Sequence, residues 1–523
     1  MRGHGSIVVK IFLTAFLMIT VILPLFRMLL YMTGRDIVAV TMSVQFRQSL
    51  RNSVLAAGTG TIISIAAAYI LALCLVRTNM RFREAFSIFT SLPMLIPSIS
   101  HGMGLILILG SNGVFTRILG LRQSIYGFKG IVLGSVFYAF PVAVLMLSDI
   151  LKYEDGSPYE AAAVLGIPQR SQFFSIAIPY LRKPLISVFF AVFTLIFTDY
   201  GVPLMIGGRF ITLPVLMYQE VIGLLNFNRG SVIGSFLLIP AVIAFLFDLL
   251  TKDAGNQNFT IQEKTKKENP LRDSIAAAYS VFICIIIVLP LGIFIFLTFV
   301  NKYPLDLSFS LTNIVKTLNM NVGTYLINSL IIALGVSVLG TLLSYVVACF
   351  TARTPGKTSK TLHLISITSL AIPGLVLGLS YVLFFKGSFL YGTISILILV
   401  NIIHFLASPY LMAYNSLCKL NGNLEAVGQT LGINRFFIIK DCLVPQTKLT
   451  IFEMFSYFFV NSMMTISAVS FLNTVRNKPV SLMITQFEAQ LFLEGAAFVS
   501  LLILICNFAV KYLFYFLRKK SGN

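Results

Sequence analysis

Tryptophan is absent from the 523-residue chain, and only 11% of its residues carry charge. A soluble domain is charged at about one position in four. A chain this poor in charge and 57% hydrophobic cannot hide its apolar surface from water. Acidic residues are the scarcer sign, 19 against 39 basic ones, and histidine occurs four times. His, Cys, Asp and Glu nowhere cluster at metal-ligand spacing, and the six cysteines form no C-x-x-C pair. These gaps speak against a resident metal or cofactor, a disulfide scaffold and an enzyme with a catalytic constellation. Without Trp, Tyr and Phe must supply any belt at a membrane surface.

What the chain does have is long apolar blocks, such as residues 54–76, 186–206, 274–300, 323–350 and 495–517. Each is near or above the roughly 18–20 residues that cross about 30 Å of hydrocarbon as a helix. In lipid the backbone must satisfy its own hydrogen bonds, which favours helices, and the short alternating segments of a barrel are not visible. The expected fold is all-α and polytopic, with about twelve spans near 8–31, 53–76, 85–110, 131–151, 186–207, 231–250, 274–300, 323–350, 361–385, 391–415, 450–472 and 495–517. Pro93, Pro97 and Pro373 interrupt the third and ninth. Arg2 and Lys10 before the apolar run 11–25 resemble a signal peptide. The run resumes past Arg27 to Tyr31 without a small-x-small cleavage site, so it reads as a retained first span.

The net charge of +20 is spread through short loops between apolar blocks, which is topology information and not a nucleic-acid surface. Lys and Arg outside the spans favour one side by roughly two to one, placing both termini in the cytoplasm of a bacterial inner membrane. Lipid is the expected surrounding.

The halves repeat each other. Asn52-Ser53, Arg77-Thr78, Pro97 and Gly102 recur as Asn328-Ser329, Arg353-Thr354, Pro373 and Gly378, each 276 positions on. The polar segment 251–272 between them reads as a cytoplasmic linker. Six spans on each side of it give parallel halves related by an axis along the membrane normal. The expected organisation is a first span and outer loop (1–48), a first transmembrane domain (49–250), the linker, a seventh span and outer loop (273–322), and a second transmembrane domain (323–517).

Each half carries one long loop before its fifth span, at 152–185 and 416–449. The first holds Glu160-Ala161-Ala162, Gly166 and Ile178-Pro179; the second holds Glu425-Ala426, Gly432 and Val444-Pro445. Gly166 and Gly432, and Pro179 and Pro445, lie 266 positions apart. Each loop reads as a helix start, a helix-stopping Gly, a second amphipathic stretch and a Pro that turns the chain back to the membrane. Phe173, Phe174, Ile176 and Ile178 give the first loop an apolar surface that should dock on something.

This pattern resembles the signature of permease subunits of type I binding-protein-dependent ABC importers, over nearly the whole chain. The resemblance implies that the loops are coupling helices seated on two copies of a cytoplasmic ATP-binding subunit. It also implies a periplasmic or lipid-anchored solute-binding protein. The second copy departs from the pattern, with Glu425 one residue early and Ala426 in the Glu position, which puts a salt-bridge or capping role in question there. Residues 198–208 and 463–472 are similar to fused permeases of the ferric-iron, phosphonate and thiamine group.

Asp199 falls within the fifth expected span, where an ionised carboxylate costs about 3 kcal/mol or more. It should face a translocation pathway, make a structural hydrogen bond, or sit at the interface. Thr465 is its equivalent 266 positions on, so a pathway site there would be asymmetric. His101 and His404 read as satisfied packing residues, and Gly58, Gly60, Gly335 and Gly340 as sites of close helix contact. Residues 354–358 end like a phosphate-binding loop but lack its first glycine and preceding strand, so a basic cytoplasmic loop is the better reading. A secondary transporter driven by an ion gradient is the alternative function. It would need coupling carboxylates in the spans, where Asp199 is almost alone, and it leaves the matched loops without a role.

Overall fold

The computed structural model describes residues 4–120, 124–251, 269–354 and 356–521. Of the expected linker 251–272, residues 252–268 lie outside them, while Thr251 ends one helix and Pro270 begins the next. The described chain is helical apart from one hairpin, Val300–Lys302 paired antiparallel with Asp306–Phe309. Among the described residues, nine helices are long and apolar enough to cross a membrane, and two bent pairs raise that to eleven. Lys448–Met464, at 17 residues, falls just short of that length.

The proline breaks shape several spans. The expected third span is split at Ile96-Pro97 into Arg83–Ser91, a 3-10 turn Leu92–Leu95 and Ser98–Leu109. The ninth bends by 113° between Ala371 and Gly374, and the tenth by 53° at Leu406. Proline lacks the N–H that would continue the ladder and clashes with the carbonyl four residues back, so the third and ninth spans restart just after Pro97 and Pro373, whereas the tenth restarts at Ala407, two residues before Pro409. The fifth and eleventh spans are shorter than the apolar blocks suggest, ending at Phe197 and Met464. Apolar composition registers lipid depth but not a chain that breaks there while still buried.

The same packing occurs twice. Val44–Arg77 runs along Phe128–Lys152 and Ile178–Phe197, as Gly323–Arg353 runs along Ala407–Cys418 and Lys448–Met464. The repeated Asn-Ser pair has the same task in each half. Asn52 Nδ2 donates to the Ile211 carbonyl at 3.0 Å, and Ser53 Oγ accepts from the Leu213 N–H at 2.7 Å. Asn328 and Ser329 do likewise with the Arg476 carbonyl at 2.9 Å and the Val480 N–H at 2.7 Å. Both pairs pin the chain where it returns after the broken fifth or eleventh span.

The first helix of each half packs on the other half. Leu23–Leu30 lies against Gly374–Phe385, and Pro270–Thr298 lies against Ser98–Leu109 and Arg83–Ser91. The Tyr381 hydroxyl donates to the Thr20 carbonyl at 2.8 Å, and the Tyr279 hydroxyl to the Ala67 carbonyl at 3.1 Å. Gly60, Gly335 and Gly340 do sit at close contacts: a Cβ on Gly340 would lie 2.8 Å from the Phe458 ring. Gly58 does not, since a Cβ there meets nothing within 4 Å.

Candidate translocation cavity and coupling loops

A cavity of about 540 Å³ lies between the halves, and both Asp199 and Thr465 line it. Ser187, Phe190 and Thr194 line it along helix Ile178–Phe197, so it extends from the helix break back toward the loop 152–185. Next to Asp199 in sequence, a contact crosses the halves. The Tyr200 hydroxyl shares a 2.7 Å hydrogen bond with Ser470 Oγ. The Tyr200 ring stacks on Tyr218 at 5.2 Å between centroids, and Tyr218 stacks on Phe471 at 6.2 Å.

Asp199 sits in the break after Phe197, not inside a continuous helix. Its Oδ2 accepts from the Val202 N–H at 3.0 Å and its Oδ1 from the Gly201 N–H at 3.3 Å, and Ser98 also donates to the carboxylate. It therefore caps the short helix Gly201–Ile206, whose first N–H groups have no other intrahelical partner. Thr465 stands in the equivalent break. Its Oγ1 donates to the Asn461 carbonyl at 2.7 Å, and its own carbonyl accepts from Ser481 Oγ at 2.8 Å. Among the residues lining the cavity, Asp199 is the sole acid, and Lys and Arg are absent.

The two histidines part company. His101 is buried against the Tyr138 ring at 5.9 Å, whereas His404 lines the cavity. His101 Nε2 and His404 Nδ1 lack hydrogen-bond partners among the described residues, so neither ring is fully satisfied.

In the first loop, helix Ser157–Val164 carries Glu160, Ala161 and Ala162; in the second, Asn423–Thr430 carries Glu425 and Ala426. Both helices end on a left-handed glycine, Gly166 and Gly432, each at φ +68°. The Ile167 N–H bonds the Ala162 carbonyl at 2.9 Å, and the Ile433 N–H bonds the Gly428 carbonyl at 2.8 Å. This is the Schellman closure of a helix C-terminus, in which the N–H of the residue after the glycine bonds the carbonyl five positions back. It leaves Val164 88% and Leu165 75% exposed in one loop, and Leu431 68% and Phe436 64% exposed in the other.

Pro179 and Pro445 do not turn the chain. Helix runs through Pro179, from Gln169 to Phe197, because a π-turn Phe173–Ala177 precedes it. The Ile178 N–H bonds the Phe173 carbonyl, five residues back, and the Val444 N–H bonds the Ile439 carbonyl in the same way. The wider turn makes room for the proline ring that an α-turn would clash with.

The acids of the two loops differ in place. Glu160 is exposed on its helix, and Arg77 pairs instead with buried Glu154, to which the Tyr159 hydroxyl also donates. Burial, and then that hydrogen bond, raises the Tyr159 phenol above its ordinary pKa, so it remains a donor. In the second loop Glu425 pairs with Arg353 at 2.5 Å, so its displaced position does not remove a salt bridge. Sequence reasoning marked Arg77 and Arg353 only as repeat positions and missed Glu154 and Tyr159. The signal was the matched arginines themselves, each needing a counter-charge near a loop.

Two helical halves that repeat the same packing in one chain, with a cavity lined by both, define a multi-pass transport permease. The chain belongs to the binding-protein-dependent transport system inner membrane component family, whose profile matches residues 60–254 and 340–522. It is 27% identical over 447 residues to the ferric transport system permease protein FbpB of Actinobacillus pleuropneumoniae, covering 81% of this chain and 64% of that one. A putative ferric transport system permease protein FbpB 1 of Haemophilus influenzae matches equally over 447 residues, 70% of its length. The molybdenum transport system permease protein ModB of Azotobacter vinelandii is 30% identical over 152 residues, 28% of this chain and 67% of its own.

Proposed function

We propose that the chain is the fused permease of an ATP-driven solute importer, with both termini cytoplasmic. It works with two copies of a cytoplasmic ATP-binding subunit, and a periplasmic or lipid-anchored binding protein delivers the solute. Hydrolysis belongs to the partner subunits; this chain is the gate. The observation that supports this most is the pair of loops, capped alike at Gly166 and Gly432, which expose apolar side chains on one side of a cavity shared by both halves. Such surfaces in water call for a docked partner.

The solute is a cation. A cavity holding one carboxylate and no lining Lys or Arg repels an oxyanion and attracts a positive charge, strongly so where water is scarce. That favours ferric iron first and thiamine second, and disfavours a phosphonate. The ferric relatives, aligned over most of the chain, agree with this order. Affinity purification from its native membrane tests the reading. An ATPase at two copies per chain is expected, together with ferric uptake that requires it. Uptake that persists without ATPase and collapses with the proton gradient would replace the proposal by a secondary transporter.

A further inference from the structure

Each coupling loop joins the membrane helices through one arginine, and the two junctions are wired differently. Arg77 ends helix Val44–Arg77 and grips Glu154, which lies two residues past helix Phe128–Lys152. That helix brings Tyr138 and Met146 to the cavity wall. Tyr159, on the coupling helix, completes the junction by donating to Glu154.

In the second half Leu420 stands in the place of Glu154 and Glu425 in the place of Tyr159, both 266 positions on. The acid has moved onto the coupling helix itself. Arg353 Nε and Nη2 bond the two carboxylate oxygens of Glu425 at 2.6 and 2.5 Å. The same guanidinium donates to the carbonyls of Leu417, Leu420 and Asn421 at 3.3, 2.9 and 2.7 Å. The first of these carbonyls lies in the last turn of helix Ala407–Cys418 and the other two just past its end, and that helix brings Ala407 and Ser408 to the cavity wall. All three guanidinium nitrogens are engaged, and the side chain is 6% exposed.

A planar guanidinium held at both edges fixes angle as well as distance, which a flexible ammonium cannot do. Three elements meet at each junction: the coupling helix, a cavity-wall helix, and the long helix that carries the arginine. We infer that Arg77 and Arg353 are positioning residues that carry movement of the coupling helices to the cavity wall, through two exchangeable wirings of one junction. This rests on the reading of the chain as an ATP-driven permease.

The test exchanges the wiring. Glu425→Tyr removes the fork's partner, and Leu420→Glu combined with Glu425→Tyr rebuilds the first half's arrangement in the second. Arg353→Lys keeps the charge and loses the fork. Each variant is expressed with the ATPase and binding protein that co-purify with the wild-type chain, and radioactive ferric citrate uptake and ATP hydrolysis are measured per assembled complex. Uptake is expected to fall at least tenfold in Glu425→Tyr and Arg353→Lys, with hydrolysis within twofold of wild type. The double exchange should recover at least half of the uptake. An unchanged ratio of uptake to hydrolysis in both single variants overturns the inference. So does failure of assembly in both without recovery in the double exchange, which makes the junction a folding contact. If the wild-type chain itself assembles with no ATPase, it is the proposed function that fails.

Discussion

Gly166 and Gly432, 266 positions apart, hold the same left-handed backbone at φ +68°. Neither glycine would crowd a neighbour if it carried a Cβ, so backbone conformation alone demands glycine there. A β-branched residue in that region costs about 1–2 kcal/mol and would unwind the Schellman closure, while asparagine tolerates it. Gly166→Val should therefore cut uptake about tenfold without lowering the amount of protein in the membrane, and Gly166→Asn should stay within twofold of wild type. Equal uptake by all three proteins would remove the turn from the coupling path.

The helix-contact glycines make a paired stability prediction. At Gly340 an added methyl meets three atoms of the Phe458 ring within 3.0 Å, and at Gly58 it meets none. Gly340→Ala should destabilise by about 1–3 kcal/mol, as overpacking does. Gly58→Ala should be neutral or gain up to about 1 kcal/mol from helix propensity. Thermal unfolding in detergent reads both. A lower midpoint for Gly58→Ala than for Gly340→Ala would contradict the packing.

Sidedness is checked by single cysteines at two exposed leucine and valine positions. Val164, 88% exposed on the first coupling loop, should label only from the cytoplasm; Leu305, 77% exposed in the hairpin, should label only from outside. Labelling of both from one side of intact cells would refute the topology and the parallel halves.

The repeat, the helical fold and the loop glycines were legible because each leaves a local mark: an apolar block, an offset, or a residue that only a special φ requires. The breaks at Phe197 and Met464 were not, because apolar character resumes within a few residues, at 202–206 and 466–472, and reads as the same block. Asp199 was visible as a charge in lipid, but its partners lie on Ser98 and on the backbone of the next helix. Glu154 was hidden for a similar reason. It is bound to Arg77, 77 positions away in sequence, and no periodicity joins them.

Asp199 has two duties that one substitution can separate. As a cap, it receives the Gly201 and Val202 N–H groups; as the cavity's sole lining acid, it sets the field there. Asparagine is also a good cap but carries no charge, so Asp199→Asn keeps most of the first duty and deletes the second. Alanine deletes both, and loss of a cap costs about 0.5–2 kcal/mol. If the solute is a cation, removing a carboxylate from a low-dielectric passage should reduce uptake per assembled complex at least tenfold in Asp199→Asn, with normal amounts of protein. Asp199→Ala should add a loss of protein to the same transport defect. If the solute were an oxyanion, Asp199→Asn would transport as well as wild type or better, because a repulsion is gone. If normalised uptake of ferric iron and thiamine is unchanged in Asp199→Asn and falls in Asp199→Ala only in proportion to the protein present, Asp199 is a cap and nothing more. The measurement is uptake of each solute divided by complex recovered from the same membranes.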